Sequence, residues 1–317
     1  MSRQYIIGSR GSDLALWQAR FVKSALKTLF PDKTFEIHIV HTTGDEVPDV
    51  ALSKIGDKGL FTRQIETELL NCNIDLAVHS LKDLQTEQPA GLTVGAVCKR
   101  EVPNDVFLSK TGGTVADLPH GARVATGSLR RRSQLLNYRP DLEVVEIRGN
   151  VPTRLRKFDE SDLDGMILAY AGMYRLGFRE RISQLIPFDI MLPAVGQGAV
   201  AIEVRGSDSE VLEIIARLND VPTRICITAE RAFLRRLEGG CQVPIGAHAT
   251  LDGDAITLEG MVGSLDGTVV FRALDTGLAV DAEVIGIGLA ESLIDQGAAD
   301  VLDTARSDAE NAAEAIV

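Results

Sequence analysis

A lone cysteine follows two glycines in the stretch LEGGCQVPIGAH, residues 237–248. Cys241 has no second cysteine at metal-binding or redox spacing, and the next histidine, His248, comes seven residues later. Such a thiol can act as a nucleophile, a covalent anchor or a redox sensor, or it can be a small buried apolar residue. The stretch alone leaves these four alternatives open.

Basic residues concentrate between residues 121 and 160, where nine Lys and Arg stand against five acidic residues. Three arginines are adjacent in TGSLRRRSQ, and Arg148 and Arg154 follow in IRGNVPTRL. Neighbouring helix positions point about 100° apart, so adjacent arginines cannot share one point charge but can bind several carboxylates of an extended ligand. A solvated helix surface is the alternative interpretation of the triplet.

His79, Lys82 and Asp83 stand together in VHSLKDLQ, at the end of an apolar stretch. One interpretation is a structural turn. In the other, neighbouring cations keep Asp83 ionised, and its carboxylate stabilises a cationic intermediate. The sequence contains no P-loop, dinucleotide-binding glycine motif or GxSxG elbow, which disfavours the corresponding nucleotide-binding proteins and serine hydrolases.

Short apolar stretches alternate with helical ones and must position these residues. We expect strands at 4–10, 35–40, 74–80, 122–128, 143–150 and 165–170, most of them followed by a helix. This alternation predicts α/β layers with a largely parallel sheet, and the polar residues fall at the strand ends where such sheets bind ligands. The long stretch 42–59 has little periodicity and is a candidate mobile lid.

The chain changes character after a helix that begins near residue 221. Apolar and polar residues then alternate around DGD and DGT turns, which predicts an antiparallel meander closed by a helix. We expect the last ten residues to be frayed.

Charge and cysteine content narrow the function further. The formal net charge is −12, but residues 251–317 hold 14 acidic and 2 basic residues, and residues 1–250 hold 31 of each. A local arginine concentration in an acidic chain favours a small polyanion over nucleic acid. The four scattered cysteines predict neither a metal site nor disulfides, and no stretch is typical of a signal peptide or membrane span. We therefore expect a cytoplasmic protein with no membrane partner.

Eight motifs in order resemble the porphobilinogen deaminase (hydroxymethylbilane synthase) family. They are IGSRGSDLALWQA, DKGLFTRQIE, DLAVHSLKD, TGSLRRRSQL, IRGNVPTRL, LAYAGMYRLG, PAVGQGA and EGGCQVPIGA, and they extend to about residue 250. The resemblance implies two α/β domains with the topology of type II periplasmic binding proteins and a small α+β third domain with an antiparallel sheet. The implied domain boundaries are 1–97 with 198–218, then 98–197, then 219–317.

The same resemblance implies a monomeric transferase of tetrapyrrole (heme) biosynthesis. It would join four porphobilinogen molecules, with loss of ammonia, onto a covalently bound dipyrromethane cofactor and release 1-hydroxymethylbilane by hydrolysis. A non-enzymatic two-lobed protein that binds a small anion is the alternative. A cysteine hydrolase is a third possibility, but His248 is expected in a strand and is a poor base for Cys241.

Individual residues are assigned by the resemblance alone. Cys241 carries the cofactor through a thioether, and Asp83 is the catalytic aspartate. The remaining cofactor-binding positions are Lys82, Ser80, Ser128, Arg130, Arg131 and Arg148. The substrate-binding positions are Arg10, Ser12, Arg154, Arg175, Lys54, Lys58 and Phe61. Two positions depart from the family pattern: Gln85 stands where proline is common, and Arg132 extends the arginine pair and stays unassigned.

Overall fold

The computed structural model describes residues 3–42, 59, 62–238 and 243–314, with side chains up to residue 308. The described residues form two compact units. The first contains residues 3–42, 59, 62–101 and 198–224, and the second contains residues 102–197, 225–238 and 243–314. Within these ranges no helix combines the length and the apolar character that a membrane span requires.

A five-stranded mixed sheet forms the centre of the first unit, with strand order β2-β1-β3-β10-β4. Its strands are β1 (Gln4–Ser9), β2 (Thr34–Ile39), β3 (Leu76–Ser80), β4 (Leu92–Val97) and β10 (Val200–Arg205). Its helices are α1 (Asp13–Leu29), α2 (Arg63–Leu70) and α6 (Ser209–Ala216). Strand β1 is parallel to β2 and β3, whereas β10 is antiparallel to β3 and β4.

Both faces of this sheet are buried. Leu76 and Val78 of β3 pack in one core with residues of α1 and α6. Ala77, between them, faces the other core, to which α2 contributes Ile65 and Leu69. A strand covered on both faces carries apolar residues at successive positions, which explains the continuous apolar run that precedes His79.

A second five-stranded sheet, with order β7-β6-β8-β5-β9, lies in the second unit. Its strands are β5 (Asp105–Ser109), β6 (Arg123–Ala125), β7 (Glu143–Val145), β8 (Gly165–Ala169) and β9 (Gln184–Leu185). The helices α3 (Leu129–Tyr138), α4 (Val151–Asp159) and α5 (Tyr170–Arg175) follow β6, β7 and β8. Strand β6 is parallel to β7 and β8, and β5 is antiparallel to β8 and β9.

The second unit also contains a three-stranded antiparallel sheet, β11 (Ile245–Asp252), β12 (Ala255–Gly263) and β13 (Val270–Leu278). Its turns contain Gly253 and Gly267, whose φ angles of 57° and 73° favour glycine. The sheet shares a core with α7 (Val221–Arg236), α8 (Ala282–Leu293) and α9 (Ala299–Glu314).

The predicted fold class is confirmed: two α/β sheets and a small antiparallel sheet with helices. The expectation of a largely parallel sheet is wrong, because each five-stranded sheet has two parallel and two antiparallel strand pairings. The expected strands at 122–128 and 143–150 are only three residues long, because Ser128 and Asn150 already cap the next helices. The expectation of fraying at the end is wrong as far as Glu314, which ends α9. An alanine-rich composition has a high helix propensity and accounts for this.

Candidate functional site

At one edge of the first sheet, the adjacent parallel strands β1 and β3 end at Ser9 and Ser80. Parallel neighbours present their carboxyl ends at the same edge of the sheet. Arg10 and Ser12 follow β1, and Lys82 and Asp83 follow β3, so the two pairs of residues come after strands that end together. Arg10 is half-buried. Ser12 caps α1, its Oγ accepting a hydrogen bond from the Ala15 backbone N–H at 3.4 Å.

The Ser80 hydroxyl is held by a buried amide that the motifs did not indicate. Gln18 of α1 is 1% exposed, and its Nε2 donates to Ser80 Oγ at 2.8 Å. Ser80 Oγ also lies 3.2 Å from Gln18 Oε1. Gln18 lies among the buried residues Ala15, Ala19 and Val22 of α1. A polar residue on an apolar helix stripe is the sequence signal that identifies it.

Asp83 ends a short 3-10 turn, Leu81–Asp83, directly after β3. Leu81 and Leu84 are buried, whereas Asp83 is exposed. Its carboxylate has no hydrogen bond or ion pair with any residue in the described ranges. Asp83 and Lys82 form no ion pair with each other there, and the turn presents an accessible carboxylate beside the half-buried Lys82.

In the second unit, two of the three adjacent arginines are buried around one carboxylate. Arg130 and Arg131 are each 5% exposed, and Asp105 is fully buried. Arg130 Nη1 donates to Asp105 Oδ2 at 2.7 Å, and Arg131 donates to Oδ1 from Nε at 3.0 Å and Nη2 at 2.8 Å. Gln197 Nε2 also donates to Oδ1 at 2.9 Å. The interpretation of the triplet as a solvated surface is wrong for Arg130 and Arg131.

The electrostatics of this cluster leave an excess of positive charge. Burial alone would raise the pKa of Asp105. The charges of Arg130 and Arg131, with hydrogen bonds from Arg130 and Gln197, outweigh burial and hold the pKa well below its usual range. Asp105 is therefore ionised, and it is the one acidic side chain in an ion pair with these arginines within the described residues. The carbonyl oxygens of Leu192 and Ile167 also accept hydrogen bonds from the two guanidiniums. Among the described residues, the two guanidiniums therefore exceed their carboxylate by one buried positive charge, which favours an anionic ligand.

Arg132 has a different role from its two neighbours. It is exposed, and its Nε donates to the carbonyl oxygen of Leu265 at 3.2 Å, in the turn between β12 and β13. Asn137, on the same helix, donates from Nδ2 to the Gly267 carbonyl at 3.0 Å. These two contacts attach the antiparallel sheet to α3, so we assign Arg132 to the packing of that sheet.

Other predicted site residues lie at the carboxyl edge of β6 and β7. Ser128 and Asn150 cap α3 and α4 through hydrogen bonds from the N–H groups of Arg131 and Thr153. Arg148 pairs with Glu146, its Nε donating at 2.8 Å.

Arg154 reaches back to the same edge, its Nε donating to the Gly149 carbonyl at 2.7 Å. Arg175 lies farther along, as the last residue of α5, and is half-buried. The parallel strands therefore bring Ser128, Arg148 and Arg154 to one edge.

Four predicted positions lie outside the described residues: Lys54, Lys58, Phe61 and Cys241. Residues 43–58 of the candidate lid also lie outside them. His248 is in β11 as expected, and its ring packs on Phe188 with centroids 4.2 Å apart. In the part of the chain that the structure describes, no group of three His, Cys, Asp or Glu residues could hold a metal ion.

Two family models match the sequence. One is described as "Porphobilinogen deaminase, dipyromethane cofactor binding domain" and matches residues 5–213. The other, "Porphobilinogen deaminase, C-terminal domain", matches residues 224–295. The chain belongs to the porphobilinogen deaminase family. The residues matched by the first model include Asp83, at the edge of the first sheet, and the buried pair Arg130 and Arg131 in the second unit. Both groups therefore lie within a match whose description names a dipyrromethane cofactor.

Curated relatives agree with these matches over almost the whole chain. The porphobilinogen deaminase of Pelotomaculum thermopropionicum is 52% identical over 308 residues, which cover 97% of this chain and 99% of the relative. The enzymes of Carboxydothermus hydrogenoformans and Chlorobaculum tepidum are 50% and 51% identical, covering 98% and 95% of this chain and 99% and 98% of their own lengths.

Two solved structures of binding proteins match part of the chain with low TM-scores. The methionine binding protein MetQ has a TM-score of 0.40 at 12% identity, covering 68% of this chain and 89% of its own. A nutrient binding protein from Burkholderia cenocepacia bound to methionine has a TM-score of 0.41 at 13% identity, covering 67% and 89%. Matches at this level bear on neither ligand nor mechanism.

Proposed function

We propose that this protein is a hydroxymethylbilane synthase, a transferase that joins four porphobilinogen molecules head to tail and releases 1-hydroxymethylbilane by hydrolysis. The family models and the relatives at about 50% identity support this activity. The observation that carries the proposal for the site is the pair of buried guanidiniums that share one carboxylate. Porphobilinogen carries two carboxylates, and guanidinium pairs with carboxylate through two parallel hydrogen bonds.

The dipyrromethane cofactor is a suitable partner for this cluster, because its carboxylates would neutralise the excess charge on Arg130 and Arg131. When bound, the cofactor supplies the pyrrole carbon to which the first substrate is joined. We propose that Cys241 holds it through a thioether. The other residues proposed to bind it, besides the arginine pair, are Ser80, Lys82, Ser128 and Arg148.

Asp83 is the proposed catalytic residue. Loss of ammonia from the aminomethyl group of porphobilinogen leaves a cation conjugated with the pyrrole ring, and a carboxylate beside it stabilises that charge. Asp83 is exposed at a strand end and makes no competing contact within the described residues, which supports this role. The residues proposed to bind substrate are Arg10, Ser12, Arg154, Arg175, Lys54, Lys58 and Phe61.

Several properties of the whole protein belong to the same proposal. We propose three domains, with boundaries at 1–97 with 198–218, 98–197 and 219–317, and a lid at 42–59. We also propose that the enzyme acts as a monomer in the cytoplasm. The scattered cysteines, which are typical of proteins in a reducing compartment, support this location.

Stoichiometry tests the proposed reaction directly. The purified protein is incubated with porphobilinogen, and ammonia and linear tetrapyrrole are quantified in the same sample. The synthase releases four ammonia molecules for each hydroxymethylbilane, because each substrate loses its amine once. A protein that only binds a small anion would return porphobilinogen unchanged, and that result would refute the proposed activity.

A further inference from the structure

The end of β3 is held on both faces of the sheet. Ser80 forms its hydrogen bonds with Gln18 on the α1 side. His79, the preceding residue, points to the opposite face, because successive side chains of a strand alternate. There its Nε2 lies within hydrogen-bonding distance of Glu203 Oε2, at 3.1 Å, and the two side chains are 4% and 0% exposed.

The antiparallel pairing of β3 with β10 explains why these two residues meet. His79 lies opposite Ala201, and Glu203 lies opposite Ala77, two residues along. Diagonal neighbours at this separation are within reach of long side chains on one face. The contact is therefore fixed by the register of two central strands.

Helix α2 covers the same face and adds a second carboxylate, Glu66, which is 5% exposed. Burial raises the pKa of Glu66, and the negative charge of Glu203 adds to that increase. A hydrogen bond with Thr62 opposes this increase without cancelling it. One oxygen each of Glu66 and Glu203 has no hydrogen-bond partner within the described residues, so His79 is the partner that the structure gives Glu203.

A buried ionisable pair is weak evidence for a role in stability. Replacing a buried ionisable pair by apolar side chains of similar volume is often neutral or stabilising. The position of the pair is more informative, because His79 stands four residues before Asp83 and the intervening Leu81 is buried.

We infer that the Glu203–His79 pair positions the turn that carries Asp83. Leu81 continues the β3 ladder, its N–H donating to the Ala199 carbonyl at 3.1 Å, and the 3-10 turn follows at once. A shift of the strand end therefore moves the Asp83 carboxylate with it. Glu203 and His79 are positioning residues, and their role rests on the proposed catalytic role of Asp83.

Four variants of the holoenzyme test the inference: Glu203→Leu, His79→Phe, the double variant, and Glu203→Gln. A displacement of about 1 Å in a catalytic group can lower a rate about 100-fold. We expect each of the two apolar variants to lower kcat roughly 10- to 100-fold with KM almost unchanged. The double variant should be no slower than the slower single one, because both changes remove the same contact. Glu203→Gln retains a hydrogen bond to His79 and should keep most of the parental kcat.

Val204→Ala is the matched control, because Val204 is the next residue of β10 and packs in the opposite core. It should lower the thermal midpoint and leave kcat unchanged. A parental kcat in Glu203→Leu or His79→Phe, or losses that multiply in the double variant, would overturn the inference. The inference would also be overturned if Val204→Ala lost kcat in proportion to its loss of stability, because destabilisation alone would then explain the other variants. If Glu203→Leu does not fold, the kcat of His79→Phe, which lacks the contact, is compared with that of Glu203→Gln, which keeps it.

The inference and the proposed function fail in different ways. A parent enzyme that releases no ammonia from porphobilinogen refutes the function. An active parent with an inactive Asp83→Asn variant and a fully active His79→Phe variant refutes only the positioning role. Intact mass of each variant shows that the cofactor is retained, which separates a positioning effect from failed assembly of the holoenzyme.

Discussion

Asp105→Asn removes the charge between the two buried arginines and leaves the shape of the side chain almost unchanged. The parental carboxylate accepts four hydrogen bonds, from Arg130, twice from Arg131, and from Gln197, at 2.7 to 3.0 Å. An asparagine amide has only one oxygen to accept them, and its NH₂ group faces donors. The substitution therefore leaves two guanidiniums in a buried site with no counter-charge.

Breaking a buried ion pair by removing one partner costs about 3–5 kcal/mol. Asp105 is fully buried and both arginines are nearly so, so solvent screening does not reduce this value. For a unit of this size we expect the thermal midpoint to fall by roughly 6–20 °C. The assay is thermal and denaturant unfolding of the parent and the variant. Asp159→Asn, which breaks an exposed pair with Arg181, is the control and should cost about 0–1 kcal/mol.

The pH dependence of this difference provides a second test. A carboxyl group whose pKa is lowered by folding stabilises the protein above its unfolded pKa, about 4, and loses that contribution as the pH falls through its folded pKa. The pKa of Asp105 is held well below its usual range. The stability difference between parent and variant should therefore be constant from about pH 7 to 5 and shrink below about pH 4. Equal stabilities at pH 7, or a difference that shrinks between pH 7 and 5, would refute the reasoning.

Two further substitutions have defined outcomes. Asp83→Asn should lower kcat roughly 10²- to 10³-fold, as the loss of a preorganised electrostatic group does. Its thermal midpoint should be unchanged, because the side chain is exposed. Near-parental turnover would contradict the assignment of Asp83 as the catalytic residue. Gly165→Ala should cost about 1–3 kcal/mol in unfolding experiments, because the added Cβ would lie 2.2 Å from the Phe107 ring. The control Gly206→Ala meets nothing closer than 3.8 Å, and an equal effect of the two would rule out overpacking as the cause.

The fold was largely predictable because its signals are local. The apolar run before His79 and the capping residues Ser128 and Asn150 mark strand ends and helix starts within a few residues of each other. The turns at Gly253 and Gly267 indicate the antiparallel sheet in the same way. The length of α9 was not predicted, because chain termini are commonly frayed, whereas the alanines of this segment favour a helix that extends to Glu314.

The supporting residues of the site could not be predicted in the same way. Asp105 stands at the start of an ordinary apolar strand, and its partners are 25, 26 and 92 residues away in sequence. Glu203 and His79 are 124 residues apart and meet only through the register of β3 and β10. No local spacing reveals such contacts. The adjacent arginines indicated a site for a ligand that carries carboxylates. Asp105, the carboxylate that orients two of them, could be identified only from the tertiary structure.

The intact mass of the purified protein tests the central claim most directly. If Cys241 anchors a dipyrromethane cofactor, the protein is heavier than its polypeptide by two porphobilinogen-derived pyrrole units, and Cys241→Ser removes the increment together with the activity. Cys72→Ser, at an exposed cysteine elsewhere in the chain, should keep both. An unmodified protein with full activity, or an increment that persists in Cys241→Ser, would contradict the account.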